Sequence, residues 1–174
     1  MAPPPPSESA ISPSRPDILA FMSLASTRLG TPLPAPKDIF DFGHGGPPSR
    51  TNLFLGRAIR GEKTATTSWP LPSPLYWGPG DLSVILDGEG KPAAVMRTLS
   101  FVQCMFKDVE EGFALAEAEG DYEEYRKGHK EFYGKQEGGE DFGEESMVLC
   151  ERFEVIFPRR EDEEGKRWWE GVEE

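Results

Sequence analysis

The stretch Gly61-Glu62-Lys63-Thr64-Ala65-Thr66-Thr67-Ser68 joins the end of one helical pattern to the start of a strand. Gly61 ends the helical pattern, since glycine is common just past the last helical turn. Lys63 follows at the corner, and small hydroxyl residues come directly after it. The sequence therefore predicts one amine beside several hydroxyls. Such an amine can bind phosphate, can serve a nucleophile as its base, or can be an ordinary exposed turn lysine.

The segments around this stretch predict an α+β fold. Apolar residues recur at helical spacing in four segments, which predict helices at about 17–28, 51–60, 109–119 and 122–133. Ser49 or Thr51 would cap the second helix. Alternating or β-rich segments predict strands at about 39–42, 64–69, 82–87, 93–105 and 147–157. A hairpin between long strands favours an antiparallel or mixed sheet, and we expect a small PUA-like closed barrel of five to six strands with flanking helices.

Length and composition predict one domain with two loose ends. The chain has 174 residues, of which 17 are proline and 19 are glycine. We expect a disordered Pro/Ser-rich tail at 1–16, a domain at 17–158 and an acidic disordered tail at 159–174. The formal net charge of -12 disfavours tight binding to duplex DNA or RNA. A local excess of base around Arg50, Arg57 and Lys63 still permits a small anion or a few nucleotides.

Neither a signal peptide nor an apolar run long enough to span a membrane is visible, so we expect a cytoplasmic or nuclear protein with no membrane partner. Cys104 and Cys150 are the two cysteines, and both are predicted to be buried free thiols. With two histidines and no C-x-x-C pair, the sequence gives no zinc site.

Several motifs together resemble the ASCH domain family, a small β-barrel relative of the PUA fold, and within it the bacterial YhfF-type subgroup. The resemblance covers about residues 39–158. The motifs that carry it are the opening stretch 61–68, Pro79-Gly80-Asp81 with the strand after it, Ala116-Glu117-Ala118-Glu119-Gly120-Asp121, the helix with Tyr125, Arg126 and His129, and the segment 148–153.

The resemblance implies a function directed at RNA or nucleosides. Some family members are metal-dependent ribonucleases on single-stranded RNA, and others hydrolyse the amide of N4-acetylcytidine. In the second group the catalytic Lys, Thr and Glu correspond here to Lys63, Thr66 and Glu119. No metal ligand is assigned, although a ribonuclease of this kind would use a divalent cation such as Mn²⁺ or Mg²⁺.

Each candidate catalytic residue has a structural alternative. Lys63 could act as a base if Trp69, Tyr76 or Trp77 shields its amine from water. Thr66 could be a nucleophile or simply a strand threonine, with Thr64 on the same face. Glu119, at the end of an acidic helix, could donate a proton, bind a metal ion or belong to a solvated acidic face.

The candidate substrate-binding residues are Thr64, Arg57, Arg60, Trp69, Tyr76, Trp77 and Ser146. The arginines could contact phosphate or form an exposed helix face. The aromatic residues could stack on a base or fill the core. His129 is predicted to be a packed or half-exposed helix residue rather than a catalyst, while His44 in a Gly/Pro loop could reach a ligand.

Three functions stay open at this point. The chain length and the motif set favour a ribonuclease-like activity on single-stranded RNA. An N4-acylcytidine amidohydrolase using Lys63, Thr66 and Glu119 is the first alternative, and the acidic surface favours its small substrate. A non-catalytic nucleotide- or RNA-binding module is the second.

Overall fold

Five helices and five strands make up the fold in the computed structural model, which describes residues 11–43 and 46–170. The helices are α1 (Pro16–Leu29), α2 (Pro48–Ile59), α3 (Glu111–Ala116), α4 (Tyr122–Gly134) and α5 (Lys166–Trp169). The strands are β1 (Asp38–Phe40), β2 (Ala65–Ser68), β3 (Leu82–Leu86), β4 (Pro92–Met105) and β5 (Met147–Phe157). Short 3₁₀ helices occupy Phe106–Asp108, Gly139–Asp141 and Glu163–Gly165.

The strands form one mixed sheet in the order β1-β3-β4-β5-β2. β1 runs parallel to β3, while the other neighbours are antiparallel, including the predicted hairpin of β3 and β4. The predicted α+β architecture with flanking helices is confirmed. The sheet is open, however, because β1 and β2 lie at its two edges and do not pair with each other within the described residues.

Side chains occupy the outer edge of β2, where another strand would have to pair to close a barrel. The Ala65 carbonyl accepts a hydrogen bond from Lys63 Nζ at 3.0 Å. The Thr67 amide donates to Glu117 Oε1 at 2.9 Å, and the Thr67 carbonyl accepts from the Tyr133 hydroxyl at 2.9 Å. Because these bonds satisfy the edge, no further strand is needed there.

The helices cover the sheet as three apolar clusters. α1 buries Ile18, Met22 and Ala25 against β3, β4 and β5, at the helical spacing seen in the sequence. α2 packs against Ile85, Met96 and Phe153 of the sheet, and together they form the second of these clusters. α3 and α4 bury Phe113 and Tyr125 against β2 and β5. The third cluster therefore lies beside the covered edge of β2.

The second predicted helix starts earlier than expected. α2 begins at Pro48, so Ser49 and Thr51 lie inside its first turn and neither caps it. Proline fits this first turn because its missing N–H has no helical partner there. Gly61 has φ +77°, and its amide donates to the Ala58 carbonyl at 3.0 Å. The prediction that Gly61 ends this helix is confirmed.

The third predicted helix ends before Glu119. α3 stops at Ala116, and Ala118 has φ +55°, a left-handed conformation that is uncommon for a residue other than glycine. Glu117 and Glu119 therefore lie on a turn, one on either side of Ala118. This turn is what directs both carboxylates toward Lys63.

The expected tail at 159–174 is wrong for residues 159–170. α5 carries Trp168, which is 3% exposed and belongs to the same apolar cluster as α2. Arg60 donates to the Trp168 carbonyl at 2.7 Å. A large apolar ring gains more from burial than the nearby charged residues lose. Residues 1–10 and 171–174 of the two expected tails lie outside the described residues.

Candidate functional site

Lys63 is at the centre of the candidate site, with only 1% of its surface exposed. Its Nζ donates to the carbonyls of Ala65 and Glu117, both at 3.0 Å. It also lies 3.7 Å from Glu117 Oε1 and 3.5 Å from Glu119 Oε1. The amine is therefore surrounded by hydrogen-bond acceptors.

The side chains that shield Lys63 from water differ from those expected. Its Nζ lies 5.1 Å from the ring centre of Phe42 and 5.8 Å from that of Phe54, not under Trp69, Tyr76 or Trp77. Sequence reasoning missed the two phenylalanines because both are distant from the strand and reach it only through the packing of α2 and the loop after β1. They stabilise a cation by cation–π attraction.

Glu117 is the residue that sequence reasoning missed. It is 1% exposed, and its carboxylate accepts bonds from both the amide and the hydroxyl of Thr67, at 2.9 and 3.0 Å. Burial by itself would raise the pKa of Glu117, but the Lys63 ammonium, His129 and the Thr67 hydroxyl together lower it. The sequence did contain a signal for it, because Ala116-Glu117-Ala118-Glu119 holds two glutamates. Only Glu119 was predicted to be a catalytic residue.

His129 faces the same carboxylates from α4. Its Nδ1 lies 2.8 Å from the Tyr125 carbonyl, which can only accept, so the proton is on Nδ1. Its Nε2 lies 3.3 Å from Glu117 Oε2 and 3.8 Å from Glu119 Oε2. Burial would lower the pKa of His129, but the hydrogen bond to Glu117 and the two negative charges raise it. The ring is packed, as predicted, yet it is also part of the charged cluster.

A cavity of about 120 Å³ opens beside this cluster. Thr66, Glu119 and His129 line it, and Arg50 lies at its wall over the ring of Phe54 at 5.5 Å. Ligand pockets for larger molecules have volumes of roughly 300–1,000 Å³, so this cavity fits one small group. Within the described chain, Lys63 is not part of the cavity wall and lies behind the carboxylates.

The two adjacent threonines differ in how their hydroxyls are used. The Thr67 hydroxyl donates its one proton to Glu117 Oε2 at 3.0 Å and lies 2.7 Å from the Tyr125 hydroxyl. No hydrogen bond to another described residue involves the Thr66 hydroxyl. Of the two, Thr66 is therefore the threonine that lines the cavity with a hydroxyl unbonded to any described residue.

Three further polar candidates, at the end of α2 and in the segment between α2 and β2, are not brought to the cavity. Arg57 donates to the Ala118 carbonyl at 2.6 Å and so holds the turn between α3 and α4. Arg60 bonds Glu62 as well as the C-terminal segment. The Thr64 amide donates to the Ala116 carbonyl. These contacts are structural.

The aromatic candidates and Ser146 also lie away from the cavity. Trp69 packs against Tyr133 and Phe142, while Tyr76 is 53% exposed and bonds Asp38. The indole of Trp77 is buried and donates to Glu151 at 3.3 Å. Ser146 Oγ accepts the Gly143 amide at 2.9 Å. His44 lies outside the described residues.

Glu117, Glu119 and His129 also fit a divalent cation by ligand type. One ligand atom from each lies within 4.8 Å of the others, and carboxylate oxygens with an imidazole nitrogen suit Mn²⁺. The bond from Nδ1 to a carbonyl is the kind that orients metal-bound histidines. Lys63 already contacts both carboxylates, so a cation would compete with its charge.

Comparison with known proteins places these features in a family. The family model for the ASCH domain matches residues 40–157. A crystal structure of protein EF3133 from Enterococcus faecalis V583 has a TM-score of 0.69 at 24% identity, covering 80% of this chain and 92% of its own. A crystal structure of an ASCH domain from Lactobacillus crispatus JV V101 has a TM-score of 0.65 at 21% identity, covering 86% of this chain and 98% of its own. No curated protein is significantly similar to this chain.

The family model spans β2 to β5, the turn with both glutamates and α4. Membership supports a general RNA-binding or hydrolase-like domain, while the YhfF-type subgroup stays a prediction. In the part of the chain that the structure describes, no helix has the length and hydrophobicity needed to cross a membrane. Because the matched segment is more than half of the sequence, the chain belongs to the ASCH domain family.

Proposed function

We propose that this protein is a hydrolase of an acylated nucleoside such as N4-acetylcytidine, cleaving the amide on the base. The observation that supports it best is that the uncommitted Thr66 hydroxyl and the Glu119 carboxylate line the same small cavity. Three carboxylates, those of Glu117, Glu119 and Glu124, line the cavity beside Arg50 and His129, and they can accept from a ligand group that carries N–H donors, such as the amide on an acylated cytosine.

Thr66 is the nucleophile in this proposal. Its oxygen attacks the acyl carbon, Glu119 takes the hydroxyl proton and passes it to the departing nitrogen, and water then hydrolyses the acyl-threonine ester. Lys63 positions Glu119 through the 3.5 Å contact. This role replaces that of a base, because the Lys63 amine donates to two backbone carbonyls and does not line the cavity.

Phosphodiester cleavage by Lys63 has less support. Lys63 lies behind Glu117 and Glu119, so a phosphate in the cavity would meet the two carboxylates first. Like charges at this distance repel, and the whole chain carries a formal net charge of -12. Single-stranded RNA is therefore the alternative substrate in the experiment described next.

The test uses purified protein with N4-acetylcytidine in one arm and single-stranded RNA, with and without Mn²⁺, in the other. We expect release of acetate and cytidine from the first. Thr66→Val should lower kcat/KM by at least about 100-fold, because it removes the nucleophile and keeps the shape. Thr64→Val, one residue before β2, is the matched control, and its activity should stay within about twofold of wild type.

Two outcomes would contradict the proposal. One is full amide hydrolysis by Thr66→Val. The other is RNA cleavage by a protein that leaves N4-acetylcytidine intact. Binding of a nucleotide with no turnover in either arm would favour the non-catalytic module instead.

A further inference from the structure

Cys104 and Cys150 form a pair outside the candidate site. Their Sγ atoms lie 3.8 Å apart, Cys104 on β4 and Cys150 on β5. In the register of these strands Val102 lies opposite Cys150, and Cys104 lies opposite Val148. The two cysteines are therefore diagonal neighbours on one face of the sheet. They are also the only two in the 174-residue sequence.

A second cavity, of about 300 Å³, gives access to this pair. Both cysteines line it, together with Phe113 and Arg152. Cys104 is half-buried, whereas Cys150 is 6% exposed. Burial and the neighbouring Cys104 raise the pKa of the Cys150 thiol. A reactant that enters the cavity therefore meets Cys104 first.

We propose that Cys104 and Cys150 are an oxidisable dithiol that a hydroperoxide converts to an intramolecular disulfide between β4 and β5. In the first step the Cys104 thiolate attacks one oxygen of the hydroperoxide, which yields a sulfenic acid and leaves an alcohol or water. In the second step the Cys150 sulfur attacks the Cys104 sulfur, and the sulfenic oxygen leaves as water. The two thiols lose two protons and two electrons, and one hydroperoxide is reduced.

The diagonal placement makes this bond easy to reduce. Diagonal Cα atoms on antiparallel strands are about 7–8 Å apart, whereas disulfides usually join Cα atoms about 4.4–6.8 Å apart. Closing the pair from a 3.8 Å Sγ separation must therefore pull β4 and β5 together locally. A disulfide that holds its strands in this way is reduced more readily than a relaxed one. The pair is thus suited to reversible oxidation.

Oxidation would also reach the candidate site. Cys150 lies directly opposite Thr67 in the pairing of β5 with β2. The amide and hydroxyl of Thr67 are the groups that hold Glu117. A shift of Cys150 toward Cys104 therefore moves the strand that anchors this carboxylate. An effect on catalysis, unlike the disulfide itself, rests on the proposed function.

To test for the disulfide, reduced protein is treated with hydrogen peroxide and then unfolded and alkylated in the absence of reductant. Its mass is measured by mass spectrometry. We expect a monomer that has lost two hydrogens and takes up no alkylating reagent, restored by dithiothreitol to two reactive thiols. Cys104→Ser keeps one thiol and should show neither change. Addition of oxygen to Cys104 while Cys150 stays alkylatable, or disulfide-linked dimers, would overturn the proposal.

The coupling is tested by hydrogen exchange at the Thr67 amide, which requires no activity. We expect exchange at least about fivefold faster in the oxidised protein, because the amide's bond to Glu117 is weakened. Cys104→Ser, exposed to the same peroxide, should show no change. Equal exchange rates in the two redox forms of the wild type would overturn the coupling.

Discussion

Lys63 and Glu117 combine structural and functional demands in one buried pair. Lys63 satisfies the outer edge of β2 through Ala65, and Glu117 does the same through Thr67. Neither side chain is free to act as an isolated reagent. Glu119, at 19% side-chain exposure, and Thr66 are the groups that remain accessible. One pair of residues, Lys63 and Glu117, thus stabilises the fold, while the neighbouring pair, Glu119 and Thr66, is accessible to a ligand.

Removing the Lys63 charge should strongly destabilise the protein. In Lys63→Met the carboxylate of Glu117 stays buried without its ammonium, which costs about 3–5 kcal/mol. Urea unfolding followed by circular dichroism measures the loss. The control is Lys107→Met, since the exposed Lys107–Glu145 pair at 3.8 Å contributes about 1 kcal/mol or less. If both variants lost a similarly small free energy of unfolding, the buried Lys63–Glu117 pair would not be a major source of stability.

The pair of His129 and Glu117 should make stability depend on pH. Because the folded-state pKa of His129 is raised, the imidazolium contributes stability that is fully present below its usual value of 6.5. That contribution is lost as the pH rises through the folded-state pKa. The free energy of unfolding should therefore fall between about pH 6 and pH 8 more steeply in wild type than in His129→Gln.

The same pH series has a second, opposite arm. Glu117 has a lowered pKa, so its contribution is present above the usual value of 4.5 and is lost as the pH falls through the folded value. Urea unfolding at each pH gives both arms. Parallel curves for wild type and His129→Gln above about pH 6 would show that folding does not raise the pKa of His129, which would contradict the prediction.

At the scale of elements, the turn between α3 and α4 builds the site. Ala118 with φ +55° separates the two glutamates, and Arg57 holds the Ala118 carbonyl. Directly after the turn, Asp121 caps α4: its side chain accepts the Glu124 amide, while the Glu124 side chain accepts the Asp121 amide. The Arg57 hydrogen bond and the Asp121–Glu124 capping box thus fix where α4 begins, and therefore how His129 is oriented.

Loss of the α4 cap should be measurable in both stability and site geometry. Asp121→Ala removes the acceptor for the Glu124 amide and should cost about 0.5–2 kcal/mol in urea unfolding. The nuclear magnetic resonance signal of the His129 ring should shift as the start of α4 loosens. Glu123→Ala, an exposed first-turn change, serves as the control and should cost no more than about 1 kcal/mol. An unchanged His129 signal in Asp121→Ala would argue against the positioning role.

At the scale of the whole molecule, the C-terminal segment completes the core. Trp168 packs with Phe54 and Leu55 of α2, and Arg60 from the end of that helix bonds its carbonyl. α2 also supplies Phe54, which faces Lys63. Contacts therefore run from the chain's end through α2 to the candidate site.

Truncating Trp168 should destabilise the fold by a core-sized amount. Trp168→Ala leaves a cavity against α2 and should cost about 3–5 kcal/mol, read from thermal and urea unfolding. Leu19→Ala, at a position that is 56% exposed, should cost less than about 1 kcal/mol. A loss no greater than that of the control would mean that the C-terminal segment does not hold α2 in solution.

Local patterns along the sequence were enough for most elements. Helical spacing located α1 and α4, β-rich segments located β3, β4 and β5, and Gly61 was correctly predicted to end α2. These features depend on neighbours a few residues away, so a single chain carries the information. The resemblance of the sequence to the ASCH domain family, rather than any local pattern, grouped Lys63, Thr66 and Glu119 as candidates for one site.

Long-range packing decided the rest. Whether the sheet closes depended on which groups satisfy the edge of β2, and those groups come from Lys63, Glu117 and Tyr133, far apart in sequence. The same folding brought His129 to the glutamates and Trp168 into the core. Such contacts follow from how helices pack on a sheet. Sequence periodicity does not predict that packing, because the burial of a charged or aromatic side chain depends on partners that only the folded chain supplies.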